Sequence, residues 1–407
     1  MKIYFVLLFF LSLIACTSEG RYKNSEHSSP VYIKINKPNI ASLQPLYLSE
    51  FVDSIEYVQL ETTNECLLSY VGNIECVDDN LFVIDRGAIF QFDMKTGKFI
   101  RRIGKTGQGP GEYILLGYGI DKENHKIFVR SQSSQSPMSF DFDGNYLGNL
   151  KDSLLISCWG AMSRFSAGNG YLIYANVPVN ASDQWACQPY ELMIYNYINH
   201  QMIPGLTNRL ECQFTTYYQE INPGTQMLLK QDEMHFYKSF YNDTLYTVNG
   251  KGIFPYAVID LGSRKYPSDL LWTNGMLPIG KIGKILIRDV YICPDYFLVE
   301  CSLINDENLR NSNFFVCKYN RNTGDLTYHT YIINDMDGGN IMAIGSLRRG
   351  IGEATLPIQD SETEQNAERP DQIQLKHPEL KEKFEIMQEN RNEDDNPILM
   401  ILHKMKN

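Results

Sequence analysis

Short runs in which hydrophobic and polar residues alternate recur along the chain, separated by clusters of Asn, Asp and Gly. That period of two, broken by turn residues, is the signature of half-buried β-strands joined by tight turns. The clearest example covers residues 90–113. An alternating strand reaches the turn Lys95-Thr96-Gly97, a second strand follows over 98–103, and a glycine-rich loop closes on Gly109-Pro110-Gly111-Glu112-Tyr113. Weaker copies lie downstream. Asp78-Asp79-Asn80, Lys122-Glu123-Asn124-His125, Gly168-Asn169-Gly170, Gln231-Asp232-Glu233 and Pro294-Asp295 each launch a short apolar strand, at spacings of roughly 45 to 65 residues.

Each launched strand is followed by another alternating strand and a further turn, such as Asp143-Gly144, Asn249-Gly250 or Asn322-Thr323-Gly324. These turns use residues that tolerate positive φ, as hairpins require. A small antiparallel sheet cannot bury its faces alone, and sheets of about four strands repeating every 40 to 50 residues stack radially as a β-propeller. Five repeats are visible. The leading strands at 31–35 and 55–60 and the last apolar run, 397–403, have no local partners. Sharing one blade between the two chain ends would use all three and remove exposed sheet edges. The expected fold is therefore all-β, a six-bladed β-propeller over 31–407, closed by N- and C-terminal strands. A polar stretch precedes the last strand, and Leu380, Phe384 and Met387 fall on one helical face. This predicts a short helical insertion at about 366–392, packed on the rim or free to bind a partner.

The N-terminus has one Lys, then an apolar run over 3–14. Spanning a bilayer needs about 20 residues, so residues 1–15 read as an export signal. Leu13-Ile14-Ala15-Cys16 resembles a bacterial lipobox, which makes Cys16 the candidate lipid anchor and 16–30 a polar tether. The predicted address is the cell envelope, at the periplasmic or surface face of the outer membrane, with membrane contact through the anchor only.

Composition adds exclusions. Aromatic residues at 12% of the 407 favour β-structure. The formal charge is −11 and no basic run exceeds Arg101-Arg102 and Arg348-Arg349. A nucleic-acid partner is therefore not expected. Eight cysteines beyond Cys16 are scattered through the chain and have no zinc spacing. They read as mostly buried thiols, with room for one or two disulfides.

With these pieces together, the chain resembles the six-bladed β-propeller lipoproteins of Bacteroidetes. The residues that carry the likeness are 97–100, 107–113, Tyr241-Asn242-Asp243-Thr244-Leu245-Tyr246, Asn334-Asp335-Met336-Asp337-Gly338-Gly339 and Glu393-Asp394-Asp395-Asn396-Pro397. The glycine-rich stretch is also similar to the NHL-type repeat. The resemblance implies a fold and an envelope location, and no settled activity.

Chemical motifs are sparse. Gly104-Lys105-Thr106 lacks the first glycine and the following helix of a phosphate loop. Asp141-Phe142-Asp143-Gly144 and Asp335-Met336-Asp337-Gly338 echo calcium loops without the later acidic ligand. The seven histidines show no ligand spacing, and no Gly-x-Ser-x-Gly elbow exists. No cofactor is expected, and calcium in a central channel stays open. Trp159, Trp185, Tyr217, Tyr218 and Trp272 lie between strands, where aromatics either pack between blades or grip a sugar or a partner's side chains. The sequence therefore favours a monomeric binding module for a glycan or an envelope protein, working through loops at one end of the channel. The alternative is a hydrolase or lyase acting on an extracellular polymer with residues of the same funnel.

Overall fold

The computed structural model of the protein describes residues 29–69, 71–152, 162–176, 190–207, 227–239, 242–265, 282–305, 312–339, 344–353 and 373–404. The alternating runs form successive antiparallel sheets in which each strand pairs with the next along the chain. Blade 1 is Ile74–Val77, Asn80–Asp85, Ala88–Asp93 and Phe99–Ile103. Blade 2 is Leu115–Asp121, Lys126–Ser131, Met138–Asp141 and Tyr146–Asn149. Blade 3 is Met162–Gly168, Tyr171–Asn176, Tyr190–Asn196 and Gln201–Thr207. Blade 4 is Met227–Gln231, Met234–Lys238, Thr244–Asn249 and Gly252–Asp260. Blade 5 is Ile285–Ile292, Tyr296–Leu303, Asn313–Asn320 and Leu326–Ile333. The launching turns need the left-handed region, and Asp78, His125, Asn169, Asp232 and Glu233 occupy it with φ between 48° and 63°.

Against the six blades expected, the described residues form five complete blades. Among the described residues a further sheet has three strands, Ile351–Glu353, Ile398–Lys404 and Val52–Gln59. In it the C-terminal strand lies antiparallel to the N-terminal one, from Ile398 opposite Gln59 to Lys404 opposite Val52. One face packs Leu399 and Ile401 on Leu81, Val83 and Phe92 of blade 1. The other packs Met400 and Leu402 with Tyr291, Leu298 and Val316 of blade 5. Asn396, fully buried, fastens the junction. Its amide donates to the carbonyls of Glu61 (2.6 Å) and Cys66 (2.8 Å) and accepts from the Leu68 N–H (2.7 Å).

The strand at 31–35 also departs from expectation. Val31–Lys34 lies parallel to the outer strand of blade 4, with Val31 opposite Ala257. Gln44–Tyr47, absent from the sequence reading, lies parallel to the outer strand of blade 5. Period-two alternation marks a strand but does not say which edge receives it. The N-terminal segment thus supplies a fifth strand to two blades and pairs edge groups that would otherwise be open.

The glycine-rich loop is the crossing from blade 1 to blade 2. Tyr113 folds back under it, donating its hydroxyl to the Ile103 carbonyl at 2.5 Å and accepting from the Ile89 N–H at 3.3 Å. Gly104 has φ +66°, and a Cβ there would sit 2.7 Å from the Tyr113 ring, so only glycine fits.

Helix α1, Ile344–Arg349, is one short turn-rich segment that no periodicity announces. Helix α2, Pro378–Glu389, is the expected insertion, narrower than 366–392, of which 366–372 lie outside the described residues. Its Phe384 stacks on Tyr57 at 4.9 Å, so the helix packs on the three-stranded sheet. The calcium-like loop at 335–338 is a clasp. Asp335 accepts from the Ser49 N–H (2.9 Å) and hydroxyl (2.6 Å), tying the N-terminal segment to blade 5. Asp141, in the other such loop, accepts from the backbone and side-chain amides of Asn145.

Candidate functional site: the central channel

The first strand of each blade faces the centre of the ring, where neighbours touch closely. A Cβ on Gly119 of blade 2 would lie 2.6 Å from the Ala167 nitrogen of blade 3. At the carboxyl ends of these strands, polar groups link blade to blade. Lys122 pairs with Asp78 (2.9 Å), Gly170 N–H donates to Asp121 (2.6 Å), and the Ile292 N–H donates to Gln231 (3.2 Å). Lys230 of blade 4 spans the channel here. Its ammonium reaches Glu75 of blade 1 (3.0 Å), the Ile120 carbonyl of blade 2 (2.8 Å) and Glu233 (3.5 Å). Burial would pull Lys230 down, but Glu75 and Glu233 hold it above its usual range; burial pushes the Glu233 carboxyl up. The carboxyl end is thus bolted across.

Nearer the amino ends the lining changes. Arg348 of α1 donates to Asp289 of blade 5 and to the Val290 carbonyl (3.3 Å). Arg164 of blade 3 lies within electrostatic range of both Asp289 and Arg348. Arg349, exposed, reaches the neutral amide oxygen of Asn73 at 3.5 Å, and Asn73 donates to the Tyr118 hydroxyl at 2.8 Å. Burial lowers Arg164, with Arg348 adding to it against the pull of Asp289. Glu300, opposite Asp289 on the neighbouring strand, is pushed up by burial and by Asp289, against the pull of Arg288 and Arg348. Arg348 thus engages Asp289, and Arg164 and Arg349 lie within electrostatic range of it.

One pair has the look of hydrolytic machinery. Ser166 Oγ and His235 Nε2 are 2.9 Å apart, bridging blades 3 and 4. Burial and the charge of Lys230 depress His235 to about 3, too low for a general base at neutral pH. Asp121, which would be the orienting acid, is committed to Tyr197 (2.7 Å), Gly170 and Asn124; these bonds hold it below the usual carboxylate range although burial pushes the other way. The pair is an interblade tie.

A neutral buried histidine has a consequence for stability. Its folded value lies below the unfolded 6.5, so between pH 6.5 and about 3 the unfolded chain holds the extra proton and stability falls with pH. The expected loss is about 1.4 kcal/mol per unit, or about 2 kcal/mol at pH 5. Urea midpoints of wild type and His235→Gln at pH 7.5 and pH 5 check this. The wild type should lose about 2 kcal/mol more than the variant, and equal losses would refute it.

Cys16, Trp159, Trp185, Tyr217, Tyr218 and Trp272 lie outside the described residues. The channel residues Arg164, Lys230, Arg348 and Arg349 were not singled out by the sequence; Arg348-Arg349 registered only as a basic run too short for nucleic acid. Among the described residues, Cys66, Cys76, Cys293, Cys301 and Cys317 are free thiols, and no group of three or more His, Cys, Asp or Glu is placed to hold a metal ion. No described helix is long and apolar enough to cross a membrane.

Radially stacked four-stranded sheets around a lined centre define an all-β, β-propeller-like protein. The chain belongs to the DUF4934 family, a domain of unknown function, whose profile matches residues 31–403. It is similar in fold to a Bacteroides fragilis NCTC 9343 protein described as exported, with a TM-score of 0.60 at 16% identity, covering 93% of this chain and 100% of that one. The extracellular domain of a one-component system of B. thetaiotaomicron matches 69% of this chain and 30% of that chain, with a TM-score of 0.33 at 9% identity. Comparison with curated proteins gives no match.

Proposed function

We propose that the protein is a lipid-anchored cell-envelope binding module that takes a glycan or a partner protein at the amino end of its channel. In this reading residues 1–15 are a signal, Cys16 carries the lipid, 16–30 form the tether, and 31–407 form one propeller with an NHL-like crossing. The three-stranded sheet serves as its sixth, incomplete blade. The observation that carries the reading is the difference between the channel's two ends. Lys230 bolts the carboxyl end, while the amino half holds exposed Arg349 and Asn73 beside Tyr118. Trp159, Trp185, Tyr217, Tyr218 and Trp272 stay candidates from the sequence for contact with that ligand.

A thermal-shift screen of the purified chain against polysaccharides, oligosaccharides and divalent ions tests the binding claim. A ligand of the folded state raises the melting temperature by mass action, about 2.7 kcal/mol at a hundredfold excess over Kd. A shift abolished by changes at the amino end supports the reading, and one abolished only by changes on the outer rim overturns it. For the anchor, Cys16→Ala should move the protein from the membrane to the soluble fraction; retention in the membrane would refute lipidation.

A further inference from the structure

We infer that the amino half of the channel recognises an acidic saccharide, with the sugar's carboxylate or sulfate received by Arg349 and its hydroxyls by Asn73 and Tyr118. This rests on the binding reading above and names the ligand's chemistry.

The charge balance comes first. Arg349 follows Arg348 on α1, and Arg348 already engages Asp289, the carboxylate within electrostatic range of both. Glu75, a carboxylate on the inner strand of blade 1, is taken by Lys230. Arg349 thus stands beside a like charge whose carboxylate is engaged, and an incoming anion would relieve that repulsion. Guanidinium is also the group that matches a planar carboxylate or a sulfate through paired N–H donors.

The neighbouring groups set the rest of the ligand. Arg349 has a fork of five N–H donors and spends one on a 3.5 Å contact to a neutral amide. Tyr118 accepts from Asn73, and its own O–H meets no acceptor among the described residues. Asn73 is exposed and Tyr118 partly so. A guanidinium beside an amide and a phenol hydroxyl complements an acidic group flanked by hydroxyls, as on a uronate or a sulfated sugar.

Isothermal titration of the full chain in detergent tests this with four probes: oligogalacturonate, a sulfated oligosaccharide, a neutral oligosaccharide of equal length, and an acidic peptide. Binding of either acidic sugar, weakened at least tenfold by Arg349→Ala and by added salt, is the expected result. Arg349 is exposed, so the variant should keep the wild-type melting temperature; Arg349→Lys should recover part of the affinity, and Asp289→Asn should tighten binding. Equal binding of neutral and acidic sugars overturns the anion inference and leaves the binding module standing. Binding of the peptide alone overturns the saccharide. Acidic-sugar binding untouched by Arg349→Ala overturns the site. Silence from all four probes overturns both this inference and the glycan form of the proposed function.

Discussion

A chain that stops after Asn396 is expected to show no cooperative unfolding transition. The missing strand, Ile398–Lys404, contributes Ile398, Leu399, Met400, Ile401 and Leu402, each no more than 6% exposed. At about 1.5–3 kcal/mol for each buried apolar side chain, their loss amounts to roughly 10 kcal/mol, comparable with the whole net stability of about 5–15 kcal/mol of an ordinary domain. The damage is not local. The strand is the middle of its sheet, so Ile351–Glu353 and Val52–Gln59 both lose their partner and blades 1 and 5 face a gap. Circular dichroism melts with size-exclusion chromatography should find a broad transition and association through the freed edges. A monomer with the wild-type melting temperature would show that the strand is dispensable.

Replacing Asn396 with alanine should lower stability by about 3–5 kcal/mol, because the buried Cys66 carbonyl and Leu68 N–H lose their partners at about 1–3 kcal/mol each and the half-buried Glu61 carbonyl loses its own at less. For a chain of this length that corresponds to about 5 °C in melting temperature. Asn396→Asp is the sharper control. It keeps an acceptor for Leu68 but turns an anion towards the carbonyls of Glu61 and Cys66, so it should be no more stable than the alanine variant. If the aspartate variant melts with wild type, these hydrogen bonds do not hold the junction.

Much of the architecture was legible because turn chemistry and alternation are local. Asp78, Asn169 and Asp232 announce hairpins through the backbone conformation they must adopt, and the strands they launch follow as read. Partner choice is not local. Nothing in Val31–Lys34 distinguishes the outer edge of blade 4 from a place beside the C-terminal strand, since both ask for the same alternation. The last sheet fell short of four strands for a related reason: its members come from three distant parts of the chain, and Ile351–Glu353 is too short to carry a pattern. The channel was the least legible part. Arg164, Lys230, Asp289 and Arg349 sit singly in separate strands or beside a short helix, with no fixed spacing between them, and only the ring brings them together. Asn396 belonged to a recognisable motif, but its three partners lie about 330 residues away.

Hydrogen exchange of the full chain with and without saturating oligogalacturonate tests the central claim, ligand capture at the amino half of the channel, most directly. Protection should fall on peptides containing Asn73, Tyr118, Arg164 and the 344–353 segment, with the outer strands of the blades unchanged. Protection confined to the outer strands, or none at all, would contradict it.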